Sequence, residues 1–249
     1  MKRHQVPPTL LPPWNSRNLH SIAKVVASPC ILAHVRAASP GSDVNLANCH
    51  PFEYDSYLLM HNGNVGSFRQ IRRKLLESLT DEAFGIIKGS TDTEHLFAVF
   101  VDEIVRHGCP VDVGAPGANG NNAAMQLAGY LSAAVSRTLA LVRAEDGGEA
   151  SFLNMAVADG RHAAVCRFTD DPEEGPETLY YLHGEMYEPA GRRFPDRRAD
   201  DDGNPVVVSS ERLTDDPRWM VVPPNHMIVL DRFAPPRLMA MGPDGRLAA

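Results

Sequence analysis

The stretch FLNMAVADGRHAAVCRF, residues 152–168, constrains the fold more than any other part of the sequence. Apolar residues on both sides of Asp159-Gly160 follow a period of two, and Asp-Gly is a preferred two-residue turn of β-hairpins. The pattern therefore predicts an antiparallel hairpin in the second half of the chain. Further strands are predicted at TLYYLH (178–183), VVVSS (206–210) and HMIVLDRF (226–233).

The first half of the chain contains helical patterns. Apolar residues at helical spacing predict a helix over 67–79, and the segment TDTE (91–94) has the sequence of a capping box that opens another. A long helix is expected from about Ala123 to Val142, and a short one after a cap at Asn15 or Ser16.

Two apolar runs lie between these helices. CILAHVR (30–36) is typical of a buried strand, and SYLLMHN (56–62) predicts a second strand. Strands, then helices, then a strand-rich second half predict an α+β fold, with sheets that carry helices on their outer faces.

Composition and charge exclude several classes of function. The chain has 249 residues, is 43% hydrophobic and carries a net charge of -7, which suits a folded protein with a sizeable core. No basic cluster is interleaved with aromatic residues, so we expect no nucleic-acid partner. No apolar run is long enough to span a bilayer, and prolines interrupt the N-terminus, so we expect a cytoplasmic protein without a membrane partner.

The chain is expected to form one domain over residues 14–249, preceded by a Pro-rich segment, 1–13, that is extended or disordered. Its cysteines are widely spaced, with no C-x-x-C pair, which suits reduced thiols better than disulfides or a zinc site. No metal and no cofactor is expected. These cysteines are Cys30, Cys49, Cys109 and Cys166.

Polar residues interrupt the apolar segments of the first hundred residues in a few places. Arg36 follows an apolar run, and its planar guanidinium can bind a carboxylate. Asp92 lies in the first turn of a predicted helix, where its carboxylate can accept hydrogen bonds from an ammonium group. Together they could hold an α-amino acid by both of its charges. The alternatives are a salt bridge of Arg36 with a neighbouring acid, and a favourable interaction of Asp92 with the helix dipole. Asn62-Gly63 could equally be a hairpin turn.

Read in order, the blocks HVRAASPG (34–41), NCHPF (48–52), MHNG (60–63) and GSTDTE (89–94) closely resemble the glutaminase domain of class II glutamine amidotransferases. That family belongs to the N-terminal-nucleophile hydrolases. The resemblance implies an αββα sandwich of antiparallel sheets with outer helices, here missing its first strands. It extends from about Trp14 to Asp231 and is strongest to stand-alone members from glutathione degradation and the ergothioneine pathway.

The resemblance also implies roles for particular residues. Arg36 and Asp92 would bind the carboxylate and amino groups of a γ-glutamyl substrate such as glutamine or glutathione. Asn62 and Gly63 would form the oxyanion hole, and Ser39 stands where the family usually has a threonine that lines the pocket. Members of the glutathione-degradation type work with a peptidase-like subunit, so such a partner is a further implication.

The nucleophile of the family is a cysteine that becomes residue one when the initiator methionine is removed. This chain begins Met1-Lys2, and its Trp14-Asn15 corresponds to a block that follows the nucleophile strand. We therefore expect an N-terminally truncated member without glutaminase or γ-glutamyl hydrolase turnover, and with low solubility because a central strand is missing. The alternatives are a genuine pseudo-enzyme, or a non-catalytic γ-glutamyl-binding or regulatory subunit of a peptidase or synthetase complex.

Neither Cys30 nor Cys49 is expected to replace that nucleophile. Cys30 opens a predicted buried strand, and neither thiol is at a chain terminus, where a free amine could deprotonate it. Cys49 precedes His50 directly, but adjacent residues of an extended segment point to opposite faces.

Overall fold

A computed structural model of the protein describes residues 15–26, 28–35, 46–107, 120–184, 186–187, 193–194, 205–232 and 234–248. The Pro-rich segment 1–13 lies outside these residues. Each helix within the described ranges is too short or too polar to cross a lipid bilayer.

Five α-helices are found in the described residues, and the predicted ones are among them. Helix α1 is capped by Ser16, whose Oγ accepts a hydrogen bond from the backbone N–H of Leu19 at 3.2 Å. The patterns at 67–79, at TDTE and at Ala123–Val142 are confirmed as α2, α4 and α5. The helices are α1 (Arg17–Ala23), α2 (Phe68–Glu77), α3 (Asp81–Gly85), α4 (Asp92–Arg106) and α5 (Gly120–Arg143).

The described strands are β1 (Phe52–Tyr54), β2 (Tyr57–Asn64), β3 (Phe152–Ala158), β4 (His162–Thr169), β5 (Tyr180–His183), β6 (Met186–Tyr187), β7 (Arg193–Phe194), β8 (Val206–Ser209), β9 (Met220–Val221), β10 (His226–Asp231) and β11 (Ala234–Ala240). A six-stranded antiparallel sheet has the order β1-β2-β3-β4-β10-β11. A three-stranded sheet has the order β8-β5-β9, and β6 pairs with β7. The larger sheet therefore joins segments from both halves of the sequence.

The predicted hairpin is confirmed as β3 and β4. Gly160 takes a positive φ of 91°, and the Asp159 carboxylate accepts hydrogen bonds from the backbone N–H groups of Arg161 and His162, each at 2.8 Å. The His162 ring nitrogen Nδ1 lies 2.9 Å from the same carboxylate, and this hydrogen bond raises the pKa of His162. The Asp-Gly pair thus closes the turn through its side chain as well as its backbone.

Both faces of the six-stranded sheet are covered. Its helical face packs against α4 and α5 through buried residues that include Leu59, Phe100, Leu131, Met155 and Phe168. Its other face packs against the three-stranded sheet through Ala156, Val165, Leu179, Val222 and Ile228. The α+β class with antiparallel sheets and helices is confirmed, and the described packing accounts for the α, β and β layers of the expected sandwich.

A buried carboxylate joins α4 to its neighbours. Asp102 is 0% exposed and accepts hydrogen bonds from the backbone N–H of Thr80 at 2.7 Å, from Arg106 Nε at 2.6 Å and from Arg137. Burial raises the pKa of this carboxyl, but the hydrogen bonds from Thr80, Arg137 and Arg106 outweigh burial and lower it to about 2. The ion pair with Arg137 therefore fixes α5 against α4, and the hydrogen bond from Thr80 fixes the start of α3.

The buried strand predicted over residues 30–36 is wrong for its described part. Residues 30–35 belong to no strand, and the side chains of Ile31 and Val35 are 74% and 69% exposed. In this structure β2 pairs with β1 and β3, and the segment meets β2 through a side chain, since His34 Nε2 lies 3.1 Å from the carbonyl oxygen of His61. An apolar run does not specify a partner for its backbone groups, and a strand requires one.

Candidate active site

Asn62 and Gly63 lie inside a strand rather than in a turn. Strand β2 continues to Asn64, and Asn62 and Gly63 pair with Asn154 and Leu153 of β3. Gly63 has φ +137°, and a Cβ there would lie 1.9 Å from the carbonyl oxygen of Phe152. The hairpin-turn alternative is therefore wrong, and glycine is required because the two backbones approach closely at this point.

Asp92 is the first residue of α4, as the capping pattern predicts. Its Oδ2 accepts a hydrogen bond from the backbone N–H of Val65 at 2.9 Å, and its Oδ1 accepts one from the N–H of Thr93 at 2.8 Å. Thr91 caps the helix, because its Oγ1 accepts the N–H of Glu94 at 3.2 Å. The carboxylate is thus fixed at the positive end of the helix dipole, next to the end of β2.

The second half of the predicted capping box differs from the usual arrangement. Instead of returning to the cap residue, the Glu94 carboxylate accepts hydrogen bonds from the backbone N–H groups of Lys88 at 2.7 Å and Gly89 at 2.8 Å. Asn48 Oδ1 accepts the N–H of Ser90 at 3.2 Å, and a Cβ on Gly89 would lie 2.4 Å from that oxygen. The loop before α4 is therefore held against the NCHPF block.

The HVR block and the NCHPF block also meet at β2. The rings of His34 and His50 have their centroids 4.2 Å apart, and His34 contacts the carbonyl oxygen of His61. Arg36 and Ser39 lie outside the described residues, but His34 is two positions before Arg36 in the chain. The structure thus gathers described parts of all four sequence blocks near residues 61–65 of the chain.

His61 is a part of this region that sequence reasoning missed. Its side chain is 3% exposed, with Nδ1 3.0 Å from Thr93 Oγ1 and Nε2 3.1 Å from the carbonyl oxygen of Phe152. Burial lowers the pKa of this imidazole. A signal was present in the sequence, since His61 continues the inward-facing alternation of Tyr57 and Leu59 and so had to be buried.

Two further polar residues that sequence reasoning missed lie between the sheets. Asn154 is directly opposite Asn62, so both side chains lie on the face away from the helices. Its Nδ2 donates to the carbonyl oxygens of Glu177 at 3.0 Å and Thr178 at 3.2 Å, and Arg167 Nε donates to Glu177 at 2.8 Å. Together they attach the 177–178 segment to the six-stranded sheet beside Asn62.

Two cysteines in the described part of the chain, Cys30 and Cys166, have the raised pKa of an unreactive thiol. Burial raises the pKa of Cys30, and it raises that of Cys166 to about 12. Cys109 lies outside the described residues. Within the described ranges, no group of three or more His, Cys, Asp or Glu residues is placed to hold a metal ion.

Comparison with known proteins gives consistent matches. A family model described as class-II glutamine amidotransferases matches residues 15–162. The chain is 32% identical over 233 residues to the probable glutamine amidotransferase DUG3 of Saccharomyces cerevisiae, an alignment that covers 90% of this chain and 63% of that protein. It is 31% identical over 136 residues to the gamma-glutamyl-hercynylcysteine sulfoxide hydrolase of Mycobacterium tuberculosis, covering 55% of each.

A solved structure shows the same fold. The glutamine aminotransferase class-II domain protein from Silicibacter pomeroyi matches with a TM-score of 0.66 and 27% identity, over 94% of this chain and 84% of that one. The chain spans less than two thirds of the length of the curated relatives it matches.

Proposed function

This chain belongs to the class-II glutamine amidotransferases, and from that premise we propose that it binds the γ-glutamyl group of glutamine or of a γ-glutamyl peptide. One observation carries the proposal. Three segments that are distant in sequence meet at residues 61–65: His34 contacts the His61 carbonyl, Asp92 accepts the Val65 N–H, and Asn62-Gly63 lies between these contacts.

The α-amino acid end of the ligand is held by opposite charges in this proposal. Asp92 accepts hydrogen bonds from the α-ammonium group, since its carboxylate is already oriented by two backbone N–H groups and each oxygen has a further lone pair. Arg36 binds the α-carboxylate through its planar guanidinium, and Ser39 contributes a further contact. The supporting observation is that His34 fixes the preceding residues of this block against β2.

The γ-carbonyl end would be bound by Asn62 and Gly63. When a thiol attacks the γ-carbon, the carbonyl oxygen becomes an oxyanion, and the Asn62 side-chain amide and the Gly63 N–H donate hydrogen bonds to it. The C–N bond then breaks, the amine leaves with a proton, and water hydrolyses the thioester to glutamate. Each such donor contributes about 3–4 kcal/mol to transition-state stabilisation in related acyl-transfer sites. The raised pKa values of Cys30 and Cys166 do not favour either as the attacking thiol.

Glutamine and γ-glutamyl peptides present the same α-carboxylate, α-ammonium and γ-carbonyl groups. These residues therefore recognise the γ-glutamyl group that all such compounds share. The compounds differ only in the group attached to the γ-carbonyl, and these residues do not distinguish them. One relative named above is a hydrolase of a γ-glutamyl compound, which supports including γ-glutamyl peptides beside glutamine.

Calorimetric titration of the 249-residue protein with glutamine tests the proposal. We expect measurable binding that Arg36→Ala and Asp92→Asn each weaken by about tenfold or more, because each removes a charge-assisted contact. Asp81→Asn is the matched control, since Asp81 is also the first residue of a helix but is exposed at the start of α3. Equal binding by Asp92→Asn and the wild type would contradict the proposal.

Glutamate release is measured in the same samples. Steady release of glutamate from glutamine or glutathione would show that a thiol of this chain attacks the γ-carbon, which the raised pKa values of Cys30 and Cys166 do not favour for those two residues. Binding without turnover that is lost in Arg36→Ala is also the result that a non-catalytic γ-glutamyl-binding subunit would give.

A peptidase-like protein partner is a finer proposal from the family resemblance. It is supported by large apolar side chains exposed in the segment that leads to Arg36, namely Val25 at 80%, Ile31 at 74% and Val35 at 69%. Co-expression with a peptidase-like protein of the same organism should give a complex that Ile31→Lys disrupts. Co-purification that is unchanged by this substitution would place the interface elsewhere.

A further inference from the structure

His61 is the buried residue immediately before the Asn62-Gly63 pair. It faces the helical side of the sheet, where its ring bridges two elements: Nδ1 contacts Thr93 of α4, and Nε2 contacts the carbonyl oxygen of Phe152 at the start of β3. Thr93 is itself 4% exposed. A buried polar pair of this kind is strongly directional, because water cannot replace either partner.

The direction of both hydrogen bonds follows from their chemistry. A carbonyl oxygen can only accept, so His61 Nε2 carries the hydrogen and donates to Phe152. Burial lowers the pKa of His61, which keeps the ring neutral near pH 7, so Nδ1 is an acceptor. Thr93 Oγ1 therefore donates its hydrogen to His61 at 3.0 Å rather than to Asp92 Oδ1 at 3.4 Å.

The His61–Thr93 bond is one of two contacts that enclose the Asn62-Gly63 pair. On one side His61 is bonded to Thr93, the residue after Asp92, and on the other side the Val65 N–H donates to Asp92 itself. Strand β2 and the first turn of α4 are thus joined both before and after the two residues with the carbonyl-binding donors. We propose that His61 and Thr93 are positioning residues that set the distance between these donors and the Asp92 carboxylate.

This inference rests on the proposed function and extends it to ligand selection. A ligand that is held by its α-ammonium group on Asp92 reaches Asn62-Gly63 with its γ-carbonyl only if that distance is fixed. By fixing that distance, the His61–Thr93 bond makes the site prefer an amino acid whose side chain ends in the γ-glutamyl carbonyl. An amino acid of the same length without that carbonyl binds less well.

Glutamine and norvaline form the test pair, because norvaline has the same carbon chain and α-groups but lacks the carbonyl oxygen and the amide nitrogen. Dissociation constants of both are measured by calorimetry or protein-observed NMR for the wild type, Thr93→Val and Thr93→Ser. Thr93→Val removes the hydroxyl, whereas Thr93→Ser retains it. We expect Thr93→Val to reduce the glutamine-over-norvaline preference by about tenfold. Thr93→Ser should keep most of the wild-type preference.

Thr138→Val is the matched control for a loss of stability. Thr138 is a helical threonine that is 1% exposed, and its Oγ1 donates to the Ala134 carbonyl at 2.9 Å in the middle of α5. This substitution removes a buried hydroxyl of the same kind without touching β2 or Asp92. Its glutamine-over-norvaline preference should equal that of the wild type, even if its melting temperature falls.

If Thr93→Val keeps the glutamine-over-norvaline preference of the wild type, the positioning role is overturned, whether or not both ligands bind more weakly. The proposal of γ-glutamyl binding would remain. Failure of the wild type to bind glutamine would overturn the proposed function as well. His61→Gln gives a second measurement if Thr93→Val is unfolded, since the Gln amide nitrogen can replace Nε2 as the donor to Phe152, whereas no acceptor then lies at the position of Nδ1. It should lose the preference to a similar extent, and an unchanged preference there would equally overturn the inference.

Discussion

Replacing Gly63 with alanine should destabilise the protein at the centre of the candidate site. The new Cβ would lie 1.9 Å from the Phe152 carbonyl oxygen and 3.0 Å from His61 Nε2, and both are closer than ordinary van der Waals contact. Relief requires β2 and β3 to separate by more than about 1 Å at this pair, since non-bonded heavy atoms rest at about 3.5 Å. The same movement would pull the Phe152 oxygen away from the His61 donor.

The expected cost is the sum of backbone strain and lost hydrogen bonds. An alanine held at φ +137° is in a region that side chains rarely adopt, which costs about 1–3 kcal/mol. Weakening of the His61–Phe152 bond and of a neighbouring ladder bond adds about 1 kcal/mol each. We therefore expect a loss of about 3–5 kcal/mol in the free energy of unfolding, together with weaker glutamine binding.

Urea denaturation followed by far-ultraviolet circular dichroism measures this loss. Gly129→Ala is the control, because Gly129 is exposed within α5 and a Cβ there meets nothing within 4 Å. Alanine is the better helix former, so this control should gain about 1 kcal/mol. An unfolding free energy of Gly63→Ala within about 0.5 kcal/mol of the wild type, the range of a neutral surface change, would refute the reasoning.

Three further substitutions test other parts of the structure. The pKa of Asp102 is lowered from 3.8 to about 2, so its carboxylate stabilises the fold above pH 3.8 and this stabilisation is lost toward pH 2. In Asp102→Asn the free energy of unfolding should therefore fall less between pH 6 and pH 2 than in the wild type, as measured by urea denaturation. The pKa of His162 is raised by its bond to Asp159, so its stabilisation is complete below pH 6.5 and declines as pH rises through the folded pKa. The stability difference between wild type and His162→Gln should therefore shrink from pH 6 to 9, and a constant difference would contradict the pairing. Gly89→Ala should lower the melting temperature, because its Cβ would lie 2.4 Å from Asn48 Oδ1, and unchanged melting would argue against this contact.

Elements with a complete local signal could be predicted from the sequence. The β3–β4 hairpin has alternation on both sides of an Asp-Gly turn, and α4 has a threonine whose side chain caps the helix in the expected way. In each case the determining interactions lie within a few residues of each other. The strand predicted over 30–36 is wrong for residues 30–35, because strand formation depends on a partner edge and the apolar pattern of a segment does not contain that information.

For the candidate site too, local features could be predicted from the sequence, whereas contacts between distant residues could not. The position of Asp92 in the first turn of a helix could be predicted because the capping pattern is local. Its binding role, and that of Asn62-Gly63, came from the order of motifs that resembles a family, and these roles stay predictions. The partners that hold them were not identifiable, since His61 reaches Thr93 and Phe152, which are 32 and 91 residues away in the chain.

Polar residues inside otherwise apolar strands nevertheless carried information. In a strand with one solvated face, Asn154 and Arg167 would be read as surface residues, because alternation assigns them to the face away from the helices. In a two-sheet fold that face is also buried, so a polar side chain there must find a partner. Arg167 does so by donating to the carbonyl oxygens of Pro176, Glu177 and Val222. Once two packed sheets are inferred from the strand count, polar residues at such positions should be interpreted as anchors for the loops between the sheets, and here they position the segment beside Asn62.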